Sequence, residues 1–184
     1  MKKNKIVVLP SVDEMKEELQ RIKHKKRFGR AVKSTVYTLL VVAAVSILVS
    51  MLWGPVFRIH GSSMEPALSP GDIAVGIKTT DIKQGDITAF YYNNKILIKR
   101  AVAFSGDWID IDENGKVLVN QVPLDEPYVK IPALGDTDIK LPYQVPDGKI
   151  FVMGDNRESS LDSRNKALGC IAEEQIIGRI FFGF

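Results

Sequence analysis

The sequence predicts a mainly β domain carried behind a single N-terminal apolar helix. Three observations lead there. Residues 36–56, VYTLLVVAAVSILVSMLWGPV, form 21 uncharged residues, which as a helix span roughly 31 Å, the thickness of a hydrocarbon core. From Arg58 onward the pattern changes to short runs of β-branched and aromatic residues broken by Asn, Gly and Pro. The charge also divides: residues 1–33 hold 11 Lys/Arg against 4 Asp/Glu, whereas residues 58–184 hold 14 against 18. At 184 residues, with 45% hydrophobic and 26% charged residues, the chain suits one globular domain plus an appendage, not a disordered protein.

The elements follow in order. Residues 1–33 read as a cytoplasmic arm. Ser11 and Glu14 make a capping-box pattern, and Val12, Met15, Leu19 and Ile22 recur at helical spacing, so a short amphipathic helix is expected, either solvated, on the membrane surface or docking a partner. Residues 34–57 are the expected transmembrane helix. A cleavable leader is the rival, but the apolar run exceeds the usual 7–15 residues and no small-x-small pattern follows it. Lys23, Lys25, Lys26, Arg27, Arg30 and Lys33 crowd its N-terminal side, which by the positive-inside rule puts that end in the cytoplasm and residues 58–184 outside. In that outer domain, strands are expected at 72–78, 86–92, 95–104, 107–112, 116–121, 149–154 and 176–182. Asn93-Asn94 and Asn114-Gly115 are the expected hairpin turns, and the Pro-studded stretch 123–146 reads as a long irregular connection. The single Cys170, beside Leu168 and Ile171, reads as a small hydrophobe.

The stretch HGSSMEPALSPGD, residues 60–72, raises the question of a nucleophile. Ser63 lies three residues after His60, so in an extended segment the two side chains point to opposite faces. His24 lies on the cytoplasmic side. Lys99, in the apolar strand ILIKRAVAF, shares a face with Leu97 and Ala101. A buried ammonium without a partner tends to shed its proton, which would make Lys99 a base; an edge lysine or one paired to an acid fits the same pattern. A third stretch, MGDNRESSLDSRNKALG at 153–169, gathers Asp155, Arg157, Asp162 and Arg164. Taken alone, such charges read as a loop held by ion pairs.

Together GSSMEPAL (61–68), KRAVAFSGD (99–107) and GDNRESSLDSR (154–164), in that order behind an N-terminal anchor, resemble type I signal peptidases, with features of the Gram-positive branch. The resemblance covers the anchor and the outer domain but not residues 1–33. It implies a signal-peptidase-like fold of antiparallel, coiled β-sheets around a hydrophobic cleft. By resemblance, Ser63 is the nucleophile and Lys99 the general base, Ser160 orients that lysine, and Asp162 and Arg164 form a supporting ion pair. Gly61, Ser62, Met64 and Pro66 fall at the oxyanion and substrate-binding positions, with the Ser63 backbone N–H as oxyanion donor in a turn that Gly61 permits. Two departures stand out: Gly61 lacks the hydroxyl some members use as a second oxyanion donor, leaving Ser62 or a water to supply it, and Ser105 replaces a frequent Pro.

No metal or cofactor is implied. The expected partners are the signal peptides of secretory preproteins at the outer leaflet, cut after small residues in an Ala-x-Ala-like pattern, and the lipid bilayer, with no nucleic acid; the oligomeric state is left open. Met64, Leu68, Phe181, Phe182 and Phe184 fit either core packing or lipid contact. Alternatives are a peptidase dedicated to pilins, a non-catalytic pilus-assembly homologue, a self-cleaving Ser-Lys regulator and a purely binding β domain.

Overall fold

The computed structural model describes residues 11–52 and 54–184, which belong to two compact units, a helical one ending at Leu52 and a β unit beginning at Trp53.

The helical unit is one element, α1 (Val12–Leu52), of 41 residues. The sequence suggests two helices here, a short amphipathic one and a separate span; the structure joins them. Residues 23–35 contain no proline, and their lysines and arginines are good helix formers, so nothing interrupts the hydrogen-bond ladder. The helix expected over residues 34–57 stops at Leu52, short of Pro55, whose ring disfavours helical geometry in the preceding residue, and Val56 and Phe57 already belong to a strand. At its start the Ser11 carbonyl accepts the Met15 N–H at 3.1 Å; the reciprocal contact expected of Glu14 lies outside the described side chains. Within the apolar stretch Thr35, Thr38 and Ser46 donate to carbonyls four residues back at 3.0, 2.9 and 2.8 Å. Their hydroxyls therefore place no unpaired donor in an apolar environment. By length and composition α1 is able to cross a membrane.

The β unit is antiparallel throughout. Its strands are β1 (Val56–Arg58), β2 (Ile73–Ile77), β3 (Ile87–Tyr92), β4 (Lys95–Phe104), β5 (Trp108–Ile111), β6 (Val117–Val119), β7 (Val122–Pro123), β8 (Tyr143–Gln144), β9 (Lys149–Met153), β10 (Ile171–Ala172) and β11 (Ile176–Gly183). They make a seven-stranded sheet in the order β1-β2-β11-β3-β4-β9-β10 and a four-stranded sheet in the order β7-β6-β5-β8. Asn93 and Asn94 turn β3 into β4 with φ of 44° and 59°, values that Asn tolerates better than most residues. A second two-residue turn, Asn120-Gln121, joins β6 to β7 and carries no Gly to announce it.

β4 is the hub. Lys95–Arg100 pair with β3, but only Arg100–Phe104 pair with β9, so the first half of β4 keeps one edge unpaired. β1 pairs with β2 alone. These two open edges border the cleft described below.

Three apolar clusters fill the unit. One, built on Val102, Ile109, Val117, Phe151 and Met153, joins the two sheets; a second surrounds Phe90 and Val152. The third, with Ile59, Met64, Leu68, Ala74 and Ile180, lies under the loop that follows β1. Met64 and Leu68 are thus core, whereas Phe181, Phe182 and Phe184 are exposed. Cys170 is half-buried against the first cluster, its thiol directed at the Tyr143 hydroxyl.

Removing a fully buried aromatic from between the sheets leaves a cavity as well as losing apolar burial. Phe151→Ala should therefore destabilise the β unit by about 3–5 kcal/mol, lowering the melting temperature by on the order of 10 °C. Phe182→Ala, on the exposed face of β11, should stay within about 0.5 kcal/mol. Thermal unfolding of the two variants side by side measures the contrast.

Candidate active site

The loop between β1 and β2 carries Ser63. Its neck is closed by Ile59 N–H to the Asp72 carbonyl and Gly71 N–H to the Ile59 carbonyl, both 2.8 Å. Met64 and Leu68 plug it into the core from below. Asn156 grips it from the side: its backbone N–H donates to the Ser63 carbonyl at 3.1 Å and its amide Nδ2 to the Ser62 carbonyl at 3.3 Å. Among the described residues the Ser63 N–H takes no part in these bonds.

β4 delivers Lys99 to this loop. Its Nζ donates to Ser63 Oγ at 2.5 Å, while the residue as a whole is only 4% exposed. Burial dominates its protonation and brings the amine from 10.5 down to about 8; Asp162 pulls in the opposite direction, Arg164 lowers it further and Asp155 raises it. A lysine so placed is neutral over part of the accessible pH range. Once it is neutral, the hydrogen bond reverses, with the Ser63 hydroxyl donating to the amine lone pair, the arrangement a nucleophile needs from its base.

Charges surround the pair in an ordered lattice. Asp162 and Arg164, both fully buried, are joined twice, Nε to Oδ1 and Nη2 to Oδ2, each 2.8 Å. Asp162 Oδ2 also accepts the Gly154 N–H at 3.0 Å, and Arg164 donates to the carbonyls of Leu134 and Arg157 at 2.8 Å. Arg100, the neighbour of Lys99, forks onto Asp155 at 2.8 and 2.5 Å and lies over the Tyr128 ring, 3.8 Å from its centroid. Arg157 forks onto Glu126 and donates to the Gly154 carbonyl at 3.1 Å. Burial and the Glu126 carboxylate beside it hold the Tyr128 hydroxyl far above its usual range.

Gly154 therefore has both its N–H and its C=O bonded to buried charges. It must also be glycine: a Cβ there would fall on Ser160 and on the Ser63 carbonyl.

The cleft beside the pair has a volume of about 680 Å³ and runs along Phe57–Gly61 on one side and Ile96–Ile98 on the other, the two open edges of β1 and β4. Ser63, Met64 and Lys99 lie at it. Apolar walls and two unpaired strand edges suit an extended peptide.

Of the residues singled out in the sequence, the structure brings Ser63 and Lys99 together, and Asp162 with Arg164. Three placements differ from the expectation. Ser160 is buried, yet its Oγ has no hydrogen-bond partner; the Lys99 amine points to Ser63 instead. Gly61 does not supply a left-handed turn, since its φ is outside that region and a Cβ there meets nothing within 4 Å. Pro66 is exposed and lines a separate cavity of about 470 Å³ with Glu65, Ser69 and Asn156, away from the cleft. Ser62 is exposed and contributes its carbonyl to the Asn156 contact. His60 lines the cleft but does not bond to Ser63. Sequence reasoning missed Asn156, Arg100 and the Glu126–Tyr128 segment; the order GDN after a buried strand was the one signal for the first.

The family model for signal peptidase, peptidase S26, matches residues 31–184. A signal peptidase I of Bacillus amyloliquefaciens is similar at 32% identity over 92% of this chain and 96% of its own length. A signal peptidase IB of Staphylococcus aureus is similar at 35% over 70% of this chain and 76% of its own. A crystal structure of a signal peptidase I from Enterococcus faecalis superposes with a TM-score of 0.45 at 25% identity, over 54% of this chain and 96% of the other.

The buried charges make opposite predictions for stability. Asp162→Ala strands Arg164 in the interior and should cost about 3–5 kcal/mol, seen as a lowered melting temperature. Lys99→Met should do the reverse. Below pH 8 the native state holds a proton on a desolvated amine, a penalty of roughly 3 kcal/mol for a shift from 10.5 to about 8. Methionine removes that penalty, so it should raise the melting temperature at pH 7. The advantage should shrink from about pH 8 to 10.5, where native wild-type sheds the proton that its unfolded chain retains.

Proposed function

The chain belongs to the signal peptidase family, peptidase S26, and from that membership we propose that it is a membrane-anchored serine endopeptidase that removes signal peptides from secretory preproteins, with Ser63 as nucleophile and Lys99 as general base. The observation that carries this reading is the 2.5 Å contact between a buried lysine amine and the Ser63 hydroxyl at the edge of an apolar cleft.

The chemistry follows from that contact. Neutral Lys99 takes the Ser63 proton as Oγ attacks the scissile carbonyl. The Ser63 N–H, left out of the bonds that tie its loop, stabilises the oxyanion of the tetrahedral intermediate. Lys99 then returns the proton to the leaving amine, the mature protein departs, and the same amine activates water to release the signal peptide from the acyl-enzyme. The peptide lies extended between the open edges of β1 and β4, with the small side chains before the cut next to Ser63 and Lys99. Ser160 is a positioning residue: its hydroxyl, unpaired and packed beside the Ser63 carbonyl, is available to the amine once Ser63 has given up its proton. Asp162 and Arg164 hold the loop on which Ser160 and Gly154 stand.

Location supports the same reading. With α1 as the anchor, residues 1–33 cytoplasmic and residues 58–184 outside, the cleft meets preproteins where the apolar core of a signal sequence ends.

In a detergent-solubilised cleavage assay with one preprotein, Ser63→Ala and Lys99→Ala should each remove nearly all activity, and Lys99→Arg should not rescue it because a guanidinium does not give up its proton. Residual activity above about 1% of wild type in any of them would refute the pair, on the scale of general-base help of about 10²–10⁴-fold. Ser160→Ala should lower kcat/KM by about 10-fold or more while leaving the melting temperature unchanged, since no hydrogen bond is lost in the resting enzyme.

The pH profile gives an independent check. Only neutral Lys99 is competent, so kcat/KM should rise tenfold per unit below about pH 8 and level above it. A limb at 10.5 would mean that the base is a solvated lysine.

A further inference from the structure

The start of α1 carries an apolar stripe that nothing in the helical unit covers. Val12, Met15, Leu19 and Ile22 are 63, 48, 55 and 47% exposed. At about 100° per residue they fall within an arc of roughly 80°, at the a and d positions of two successive heptads. The next two seam positions, Lys26 and Gly29, end the stripe.

Lipid is not a natural cover. α1 is unbroken from Val12 to Leu52, so if its part from Val36 to Leu52 crosses the membrane, Ile22 stands about 21 Å and Val12 about 36 Å beyond the hydrocarbon at 1.5 Å per residue. For the stripe to lie on the bilayer, the helix would have to kink between Lys23 and Thr35, a segment without proline. Water is an unfavourable neighbour for four apolar side chains in one row, and another helix is the partner this spacing fits.

The flanking charges say which helix. Taking Val12 as the first a position, Glu18 falls at g and Lys23 at the e position of the next heptad, on opposite sides of the stripe. In a parallel pair of identical helices, g of one chain faces that e of the other, so Glu18 meets Lys23 of a second copy, and by symmetry the contact forms twice. Two chains inserted in the same membrane with the same topology are necessarily parallel. We propose that residues 12–22 pair with the same segment of a second copy as a short parallel coiled coil on the cytoplasmic side. Two heptads alone are too short to persist in water; confinement in a bilayer supplies the effective concentration that the seam lacks. Below Ile22 the corresponding flank pair would be Lys25 against Arg30, two like charges, and with Lys26 in the seam the helices part where anionic headgroups begin. The inference rests on the reading of α1 from Val36 to Leu52 as the span and is independent of the Ser63 chemistry.

The test uses the full chain with Cys170→Ser, reconstituted in phospholipid vesicles, with single cysteines introduced in turn at residues 12–24 and oxidised. Disulfide-linked dimer should peak at 12, 15, 19 and 22 and be weak at 13, 17, 20 and 24. Glu18→Lys should reduce the dimer formed through a cysteine at Leu19 several-fold, and adding Lys23→Glu should restore it. Preprotein cleavage by these variants in the same vesicles should match wild type, which shows that the chains are inserted and folded. Cleavage-competent vesicles without cross-links, cross-links with no helical periodicity, a swapped pair that fails to recover, or a fluorophore at Leu19 that reports immersion in lipid would each overturn the pairing.

Discussion

The β unit is organised around one costly act, the burial of the Lys99 amine against Ser63. An ammonium taken out of water loses its hydration, and here the principal effect of its surroundings is that loss: desolvation outweighs the favourable field of Asp162 and Asp155. A stronger, closer carboxylate would have held the proton in place and left the lysine unable to act as the base proposed for it. The site therefore needs carboxylates near enough to keep the interior electrically sound, yet already committed to other cations. Asp162 is committed to Arg164 and Asp155 to Arg100, so each faces Lys99 with its charge largely balanced. Arg164 adds a small push in the direction the chemistry needs.

Keeping those carboxylates committed explains why so many charges are buried in a unit of this size. Arg100–Asp155, Arg157–Glu126 and Arg164–Asp162 converge on the segment 154–164, and Gly154 joins two of them through its own backbone. Each arginine also donates to backbone carbonyls of loops with little regular structure: Gly85, Gly154, and Leu134 with Arg157. A buried ion pair seldom adds stability over an apolar pair of the same volume. What these pairs supply is position. The connection 123–146, nearly devoid of strand, is held to the core by arginine side chains where a sheet ladder is missing.

Much of this was legible in the chain. Runs of β-branched and aromatic residues between turn signals located β2 to β6, β9 and β11 within a residue or two. Asn93-Asn94 announced its turn by residue type; Asn120-Gln121 did not, and β7 went unread behind it. β1, β8 and β10 are two or three residues long, too short for any period to show. The helix was read as two because its composition changes from charged to apolar at residue 34, but composition sets what surrounds a helix, not whether its ladder continues. Within the site, Ser63, Lys99, Asp162 and Arg164 were picked out by the three ordered motifs that carry the family resemblance, while local pattern alone left each with a plainer reading. Arg100, Glu126, Tyr128 and Asn156 were not, because the partners that bring them to the site lie between 28 and 94 residues away, and no local spacing encodes that. Ser160 was legible as a position but not as a state: sequence cannot say whether a buried hydroxyl has spent its hydrogen bond.

The unspent bond of Ser160 and the uncommitted N–H of Ser63 have the same physical meaning. A protein interior normally satisfies its polar groups, and an exception is tolerated where the group will be needed later. The Lys99 amine is bonded to the Ser63 hydroxyl, while the Ser63 N–H enters none of the backbone bonds of its loop and Ser160 Oγ has no partner; in the proposed reaction these two serve as the donor for the oxyanion and the acceptor for the turned amine. Both stand beside residues to which no chemistry is assigned: Asn156 clamps the Ser62 and Ser63 carbonyls, and Gly154 makes room for Ser160 beside them. Because Gly154 and Asn156 flank Asp155 in the same charge-anchored segment, the ion pairs that surround Lys99 also hold the groups that its proposed proton transfer would call on. Electrostatics and geometry are thus not separable here, and a change in any one of the three arginines should be felt first in the aim of the Ser63 loop.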